Sequence, residues 1–303
     1  MTEEKKYHAG FVTIIGRPNV GKSTLMNHLI GQKIAITSNK PQTTRHRIQT
    51  VYTCDEGQIV FLDTPGIHKA KNKLGEYMDK VAESSIRDVD LILWLVEPDA
   101  YHGENEQQIL EQLRSCKTPV ILVINKADKT EKEKIGELME GFRKEMDFAD
   151  IVPVSALKGQ NLEELTRVIL SHLPEGMPFY DEETVTDQQV RQIAGEIIRE
   201  KVLRCLKDEV PHGVAVSVEK MKEKENIWEI DADIICERDS HKGIIIGKKG
   251  SMLRTIGSQS RKDIEEMLEK QVFLQLFVKV RPNWRDDQAF LRSLGYDPKK
   301  INQ

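Results

Sequence analysis

The sequence has few cysteines and no long apolar segment. Its four cysteines, Cys54, Cys116, Cys205 and Cys236, are far apart, and no pair has the CxxC spacing of a zinc or redox site. We therefore expect reduced thiols and neither a disulfide framework nor a structural zinc. No apolar run approaches the roughly 18 residues that a membrane span requires. The charged start MTEEKKYH also lacks the apolar core of a signal peptide, so a cytoplasmic protein is expected.

The chain has no overall excess of positive charge. Its formal net charge is -4, so a general attraction to polyanions is not indicated. Hydrophobic residues make up 39% of the 303 residues, which is enough for ordinary buried cores. The length allows about two domains.

A glycine-rich octapeptide is the most informative segment. Residues 16–23, GRPNVGKS, fit the phosphate-loop pattern GxxxxGK[ST] and directly follow the apolar run 11–15, which predicts a strand. Glycines at both ends let backbone N–H groups curl around a phosphate at the start of a helix. Lys22 is expected to reach the outer phosphates, and Ser23 to hold Mg²⁺. The nucleotide contacts expected here are Gly16, Arg17, Pro18, Asn19, Val20, Gly21, Lys22, Ser23 and Thr24.

A second motif indicates which base is bound. The apolar run 120–124 ends in Asn125-Lys126-Ala127-Asp128. Guanine presents an N1–H and an amine on one edge, and one carboxylate can accept both hydrogen bonds, whereas adenine offers no such pair. We expect Asp128 to read guanine, Asn125 to tie the base loop to the phosphate loop, and the Lys126 stem to cover the ring. Ser155 and Ala156, after a further predicted strand, are expected to supply a backbone contact to the guanine oxygen.

A third motif lies between these two. The apolar run 59–62 ends in Asp63-Thr64-Pro65-Gly66, where an aspartate at a strand end can reach Mg²⁺ through water. The Gly66 N–H is expected to touch the last phosphate. Thr64 and Pro65 complete the expected nucleotide contacts. The order of the three motifs predicts a magnesium-dependent GTP-binding and GTP-hydrolysing enzyme that cycles between GTP and GDP.

With these motifs the chain resembles the translation-factor-type GTPases, and GRPNVGKS, PQTTR and DTPG resemble the bacterial Era family. In that family, threonines of the first switch loop sense the terminal phosphate. The resemblance maps them onto Thr43 and Thr44, and Thr44 is our preferred Mg²⁺ ligand beside Ser23, with Thr43 as the alternative. The catalytic residues that it implies are Lys22, Thr44, Gly66 and Asn19.

Ile67 follows the DTPG motif, where the best-known small GTPases have a glutamine that orients the attacking water. Similar GTPases use an asparagine at the position of Asn19 to help bind K⁺, which supplies positive charge in the transition state. Asn19 could equally be a turn residue of the loop. Arg45 or Arg47 could supply the charge instead, although a charged switch loop is more often solvated or partner-binding.

The first half alternates strands and helices in the manner of a doubly wound α/β fold. Strands are expected near residues 11, 48, 59, 91, 120 and 151, and a helix over 162–173. Residues 55–57, Asp-Glu-Gly, predict a hairpin turn that makes the preceding strand antiparallel. The proline-bearing segment after this helix is acidic and poor in apolar residues, which predicts a linker. The predicted ranges are 1–176 for the GTPase domain, 177–187 for the linker and 188–303 for the second domain.

The second domain resembles a type II KH domain. A helix over 187–206, strands near 214–218 and 228–235, a GxxG tetrapeptide at 247–250 and a strand over 272–280 occur in that order. KH loops clamp about four nucleotides of single-stranded RNA. All six charged side chains between His241 and Lys262 are basic, which gives a local patch for phosphates. The expected RNA contacts are Gly247, Lys248, Lys249, Gly250 and Arg254.

Two apolar features of the second domain admit two roles each. Ile244, Ile245 and Ile246 are expected to divide between the core and an apolar floor for bases. Trp284, which precedes the expected C-terminal helix, could contact RNA or fill the core.

A GTPase domain followed by a KH domain is the Era architecture, and the resemblance covers essentially the whole chain. It implies a monomeric protein that grips the 3′ end of small-subunit ribosomal RNA and assists small ribosomal subunit assembly. It also implies peripheral membrane association, which these residues do not support. The alternatives are a membrane-associated signalling GTPase, which leaves the basic GxxG unexplained, and a passive RNA-binding module, which leaves the complete nucleotide set unexplained. A tRNA-modifying GTPase would need a C-terminal cysteine that is absent here.

Overall fold

A six-stranded sheet with the order β2-β3-β1-β4-β5-β6 organises the first half of the computed structural model. The structure describes residues 6–37, 43–65, 70–86, 89–98, 103–207 and 210–301. Strand β2 pairs antiparallel with β3 and the other pairs are parallel, as the hairpin prediction requires. The strands are β1 (His8–Ile15), β2 (Ile48–Cys54), β3 (Gly57–Asp63), β4 (Leu91–Val96), β5 (Val120–Ile124) and β6 (Asp150–Pro153).

Helices cover both faces of this sheet, which explains why its parallel strands are nearly continuous apolar runs. Helices α1 and α5 pack on one face, and α3 and α4 on the other. The nucleotide motifs follow the carboxyl ends of β1, β3 and β5, where ligands bind in open α/β sheets. The helices are α1 (Lys22–Ile30), α2 (Lys73–Ser84), α3 (Glu104–Arg114), α4 (Lys132–Glu145) and α5 (Leu162–His172).

The segment predicted as a linker, 177–187, runs along the edge of this sheet. The Val51 N–H donates to the Val185 carbonyl over 2.8 Å, and the Thr186 hydroxyl donates to the Gln49 carbonyl over 2.7 Å. Gln58 accepts the Phe179 N–H over 2.7 Å. The segment is therefore attached to β2 and β3 by backbone and side-chain hydrogen bonds.

The second half contains a three-stranded sheet, β7-β8-β9, with β7 antiparallel and β9 parallel to β8. Helices α6, α7 and α8 pack on one face of it, and this arrangement is the predicted KH topology. Strand β7 extends beyond the prediction because its alternation continues, after a bulge, through the charged sequence up to Glu223. The elements are α6 (Val190–Cys205), β7 (Ala215–Glu223), β8 (Ile227–Cys236), α7 (Asp239–Ile246), α8 (Ser251–Leu268), β9 (Gln271–Val280) and α9 (Gln288–Ser293).

The two halves share a small apolar cluster. Leu74 and Tyr77 of α2 belong to it together with Trp284 and Tyr296 from the C-terminal segment. Trp284 is fully buried and its indole N–H donates to the Gly213 carbonyl over 2.9 Å, so it is a core residue and not an RNA contact. Among the described helices, none is long and apolar enough to cross a membrane.

Candidate nucleotide and RNA sites

The two glycines of the phosphate-loop pattern occupy positions where a side chain cannot fit. Gly16 has φ 146°, and an added Cβ would lie 2.5 Å from the Leu95 carbonyl oxygen. Gly21 has φ 102°, and an added Cβ would lie 2.3 Å from Nδ2 of Asn125. The second glycine therefore lets the base loop approach the phosphate loop directly.

Lys22 is buried inside the phosphate loop. Its ammonium donates to the Gly16 carbonyl over 2.9 Å and to the Arg17 carbonyl over 3.1 Å. Burial lowers its pKa to about 8, against the opposing effect of the Asp63 carboxylate. A phosphate bound in the loop would favour the charged ammonium, so this lysine is suited to a polyanionic ligand.

Three oxygen-bearing side chains meet beside Lys22. Ser23 Oγ donates to Asp63 Oδ2 over 2.9 Å, Thr44 Oγ1 donates to the same oxygen over 3.1 Å, and the two hydroxyls are 3.2 Å apart. Burial raises the pKa of Asp63, although Lys22 and the two hydroxyls oppose this rise. Its buried Oδ1 has no hydrogen-bond partner among the described residues.

Oxygen ligands with an unpartnered buried carboxylate oxygen fit Mg²⁺. Thr44 contributes its hydroxyl to this group, while the carbonyl of its neighbour Thr43 accepts a hydrogen bond from Arg199 of α6. The Thr44 hydroxyl therefore lies beside Ser23 and Asp63, where the preferred Mg²⁺ ligand of the first switch loop is expected.

Asn125 joins the phosphate loop to both base loops. Its Nδ2 donates to the Val20 carbonyl over 2.7 Å, and its Oδ1 accepts the Ala156 N–H over 2.9 Å. Only 2% of Asn125 is exposed, so both hydrogen bonds are shielded from water. The side chain fixes the distance between the phosphate end and the base end of the site.

Asp128 and Lys126 are held by neighbours. A hydrogen bond from Ser155 is the main cause that keeps the pKa of Asp128 below its usual range. The Lys158 ammonium, 3.2 Å away, acts in the same direction. The carboxylate is therefore ready to accept hydrogen bonds at neutral pH. The Lys126 ammonium donates to the Asn19 carbonyl over 3.0 Å and pairs with Glu97.

These motifs surround one cavity of about 510 Å³. Predicted site residues that do not line it include Thr64, whose hydroxyl donates to the Ile14 carbonyl over 3.2 Å, the buried Pro65, and Arg17, which pairs with Glu106 over 3.0 Å. Gly66 and Ile67 lie outside the described residues. The predicted residues that line the cavity are Pro18, Asn19, Gly21, Lys22, Ser23, Thr24, Thr43, Thr44, Asn125, Lys126, Asp128 and Ala156.

Sequence reasoning missed several lining residues. Ile36 and Thr37 follow α1 in a segment without a motif, and Lys129 and Leu157 merely adjoin the motifs. Arg204 comes from α6, in the KH domain, and no local pattern points to it.

Arg45 is not solvated, although the sequence favours a solvated or partner-binding side chain in this charged loop. It is 1% exposed, and its guanidinium donates to the Val214 carbonyl over 2.8 Å and lies 5.8 Å from the centre of the Trp284 ring. Since the second domain surrounds this side chain, it is not available to act on a phosphate in this arrangement.

The GxxG loop has the backbone geometry that its glycines predict. Gly247 has φ 73°, and an added Cβ would lie 2.8 Å from the Met252 nitrogen. Lys249 and Gly250 also have positive φ, at 52° and 76°. The turn between α7 and α8 leaves Lys248 and Lys249 exposed.

A groove of about 430 Å³ begins at this loop and runs between α8 and β9. Its apolar wall is formed by Leu253, Leu274 and Leu276, and Arg254 and Arg261 supply its positive charge. Of the isoleucines expected to divide between the core and an apolar floor, Ile245 is fully buried in the core, as expected for part of the set. Ile244 is 49% exposed and does not line this groove. The leucines carried no motif that would have identified them.

Comparison with known proteins agrees with both domains. The family described as "50S ribosome-binding GTPase" matches residues 11–126, and the family described as "KH domain" matches residues 209–285. The GTPase Era of Clostridium kluyveri is 52% identical over 95% of this chain and 99% of its own length. That of Caldanaerobacter subterraneus is 54% identical over 96% of this chain and 98% of its own.

Two solved structures have the same architecture. One is an Aquifex aeolicus Era variant bound to GDP·AlF4⁻, with a TM-score of 0.92 and 41% identity over 95% of this chain and 99% of its own. The other is Era in complex with MgGDPNP and nucleotides 1506–1542 of 16S ribosomal RNA, with a TM-score of 0.92 and 40% identity over 96% of this chain and 99% of its own. With a phosphate loop, a guanine-reading loop and a KH groove in one chain of this similarity, the protein belongs to the Era family of GTPases.

Proposed function

We propose that this GTPase is a switch protein that binds the 3′ end of small-subunit ribosomal RNA and assists small ribosomal subunit assembly. The observation that carries the proposal is the pairing of a complete guanine-nucleotide cavity with a basic KH groove in one chain. The relative solved with MgGDPNP and nucleotides 1506–1542 of 16S ribosomal RNA has the same two-domain arrangement.

In the proposed nucleotide site, the phosphate loop 16–24 surrounds the phosphates of GTP or GDP and Lys22 neutralises their charge. Asp128 accepts the two N–H groups of guanine, with Ser155 and Ala156 at the base oxygen. Ser23 and Thr44 would ligate Mg²⁺, and Asp63 would hold it through water. The ion supplies positive charge where negative charge develops in phosphoryl transfer.

The charge that replaces a glutamine after the DTPG motif is proposed to come from K⁺ held with the help of Asn19. The backbone of Asn19 has φ 69° and is tied to Lys126, so the residue is fixed at the cavity wall. Arg45 donates a hydrogen bond to the second domain, which supports K⁺ over this arginine as the source of the charge. Arg47 is the next candidate.

In the proposed RNA site, exposed Lys248 and Lys249 meet the phosphates at the GxxG turn, and bases enter the groove lined by leucines. Arg254, on the helix α8 that follows the turn, binds the RNA as well in this proposal. A single strand fits best because its unstacked bases can enter such a groove. For a protein with this ribosomal target we propose a cytoplasmic location and a monomeric state. A peripheral membrane contact remains a prediction of the resemblance alone.

Lys248→Asp/Lys249→Asp tests the RNA proposal. Both glycines remain, so the loop can form, but the reversed charges should weaken binding to a single-stranded 16S 3′-end fragment by at least a hundredfold at moderate salt. Fluorescence anisotropy would measure RNA binding, and calorimetry would measure GDP binding to the same preparation. GDP affinity should be unchanged, because no nucleotide motif lies in this loop.

The matched control reverses Lys132 and Lys134, two exposed lysines on α4 of the GTPase domain. Unchanged RNA affinity in the Lys248/Lys249 variant would contradict the KH assignment. Loss of RNA and GDP binding together would indicate misfolding, which a thermal melt identifies.

A further inference from the structure

One side chain of the KH domain forms part of the wall of the nucleotide cavity. Arg204 lies in the last turn of α6, about 180 positions beyond the phosphate loop, yet it lines the same cavity as Lys22 and Asp128. Its side chain is 46% exposed. The cavity is therefore completed by a residue that lies outside the GTPase domain.

A buried carboxylate fixes Arg204 at this position. Glu200, one turn earlier on α6, is fully buried and lies 2.5 Å from Nη2 of Arg204. Lys33, which follows α1, lies 2.8 Å from the other oxygen of the same carboxylate. Glu200 thus attracts one partly exposed cation from each domain. Neither of its buried oxygens accepts a well-aligned hydrogen bond among the described residues, so these two ion pairs are what offsets the burial of the carboxylate.

The guanidinium also contacts the segment that follows α1. Its Nε and Nη2 donate to the Thr37 carbonyl over 3.2 and 3.1 Å, and Nη2 lies 2.8 Å from Thr37 Oγ1. All of these contacts are made by Nε and Nη2, and Nη1 makes no hydrogen bond within the described residues. Its two N–H groups therefore retain hydrogen-bonding capacity at the cavity wall.

The position of Arg204 identifies the portion of nucleotide that it faces. The phosphate loop, Thr43 and Thr44 account for the phosphate end of the cavity, and the base loops with Lys129 and Leu157 account for the guanine end. Ile36, Thr37 and Arg204 are the lining residues that belong to neither end. The ribose lies between the base and the phosphates in any nucleotide.

We infer that Arg204, together with Thr37, binds the ribose of the guanine nucleotide, so that a KH-domain side chain contributes directly to nucleotide affinity. This inference rests on the proposed nucleotide site. An arginine provides rigidly arranged donors for the sugar hydroxyl oxygens, which a lysine at the same place does not reproduce.

Calorimetry with GDP, 2′-deoxy-GDP and 3′-deoxy-GDP on the full chain tests the inference. The parent protein should bind at least one deoxy analogue about tenfold more weakly than GDP. Arg204→Ala should weaken GDP binding by about the same factor and remove that discrimination, while Arg204→Lys should restore little of it. Arg191→Ala, which removes an exposed arginine from the first turn of the same helix, should bind all three nucleotides like the parent.

Three results would overturn the inference. Equal binding of all three nucleotides by the parent would exclude a contact to the sugar hydroxyls. An equal loss for all three in Arg204→Ala would mean that the arginine only positions Thr37, and an unaltered affinity would exclude any role. Failure of the parent protein to bind GDP would instead contradict the proposed function, so the two failures are distinguishable.

Discussion

The guanidinium of Arg199, in the KH domain, donates a hydrogen bond to the backbone carbonyl of Thr43, directly before the Thr44 hydroxyl that approaches Ser23 and Asp63. Arg199 is 1% exposed and also pairs with Glu196 over 2.6 Å. The first switch loop is thus held by a buried side chain of the other domain. This hydrogen bond is a direct contact between the first switch loop and α6.

Arg199→Ala should reduce the communication between the two sites. In the parent protein, a GTP analogue and GDP should give different affinities for the 16S 3′-end fragment, and this difference should shrink in the variant. The free energy of unfolding should also fall by about 3 kcal/mol, because Glu196 loses its buried partner. Anisotropy and urea denaturation measure the two effects, with Arg191→Ala as the control. An unchanged difference between nucleotides would argue against this route.

His46 should make the protein less stable in mild acid. It is stacked on Tyr296 with ring centres 4.4 Å apart, and burial lowers its pKa to about 4, with the Arg199 and Arg45 charges acting in the same direction against Glu196. The unfolded chain protonates this histidine near its ordinary pKa of 6.5, so unfolding takes up a proton between these values.

The free energy of unfolding should therefore fall by up to about 1.4 kcal/mol per pH unit as the pH drops from 6.5 towards 4. His46→Phe should flatten this slope, as measured by urea denaturation at a series of pH values. His172→Gln, at the end of α5, serves as the control. An equal slope in the parent protein and in His46→Phe would assign the acid sensitivity to other groups.

Asp128→Asn should change the base preference from guanine to xanthine. In xanthine an oxygen replaces the guanine amine, and the asparagine amide can donate a hydrogen bond to that oxygen. Guanine instead requires a carboxylate that accepts hydrogen bonds from both of its N–H groups. GDP affinity should fall roughly a hundredfold through the loss of charge-assisted hydrogen bonds, and xanthosine diphosphate affinity should rise. Calorimetry with both nucleotides checks this, and Asp147→Asn on the same domain should leave both affinities unaltered. Parental GDP affinity in Asp128→Asn would remove this residue from the base site.

GTP hydrolysis should be faster in K⁺ than in Na⁺ at equal ionic strength. Asn19→Ala should remove most of the difference, since the larger ion would lose a ligand beside the phosphates. Phosphate release in the two salts measures the effect. Asn226→Ala, in the exposed turn between β7 and β8, should behave like the parent protein. Identical parental rates in both salts would make Arg47 the next residue to test.

The sequence predicts the fold correctly where one short segment contains both the pattern of a structural element and a functional motif. The strands ending at Ile15, Asp63 and Ile124 present their motifs at one sheet edge because parallel strands share that edge. The glycines of the GxxG tetrapeptide likewise predict the turn between α7 and α8.

Contacts between the two domains could not be predicted from the sequence. Arg204 and Thr37 are 167 positions apart, and each occurs in a segment with an unremarkable local pattern. The sequence favours a solvated or partner-binding Arg45 because charge usually stays in water, but the carbonyl of Val214 and the Trp284 ring compensate its burial. Such pairings depend on how separate surfaces meet, which periodicity and spacing do not encode.

The hydrogen bonds that fasten Val185 and Thr186 to β2 leave only residues 187–189 between this anchor and the start of α6. Three residues span at most roughly 11 Å. While the anchor holds, the KH domain cannot move far from the switch loop and can only turn about a pivot beside β2. The RNA groove would then sweep along an arc centred on the GTPase domain, so a change of nucleotide state would alter the direction in which bound RNA is presented far more than its distance.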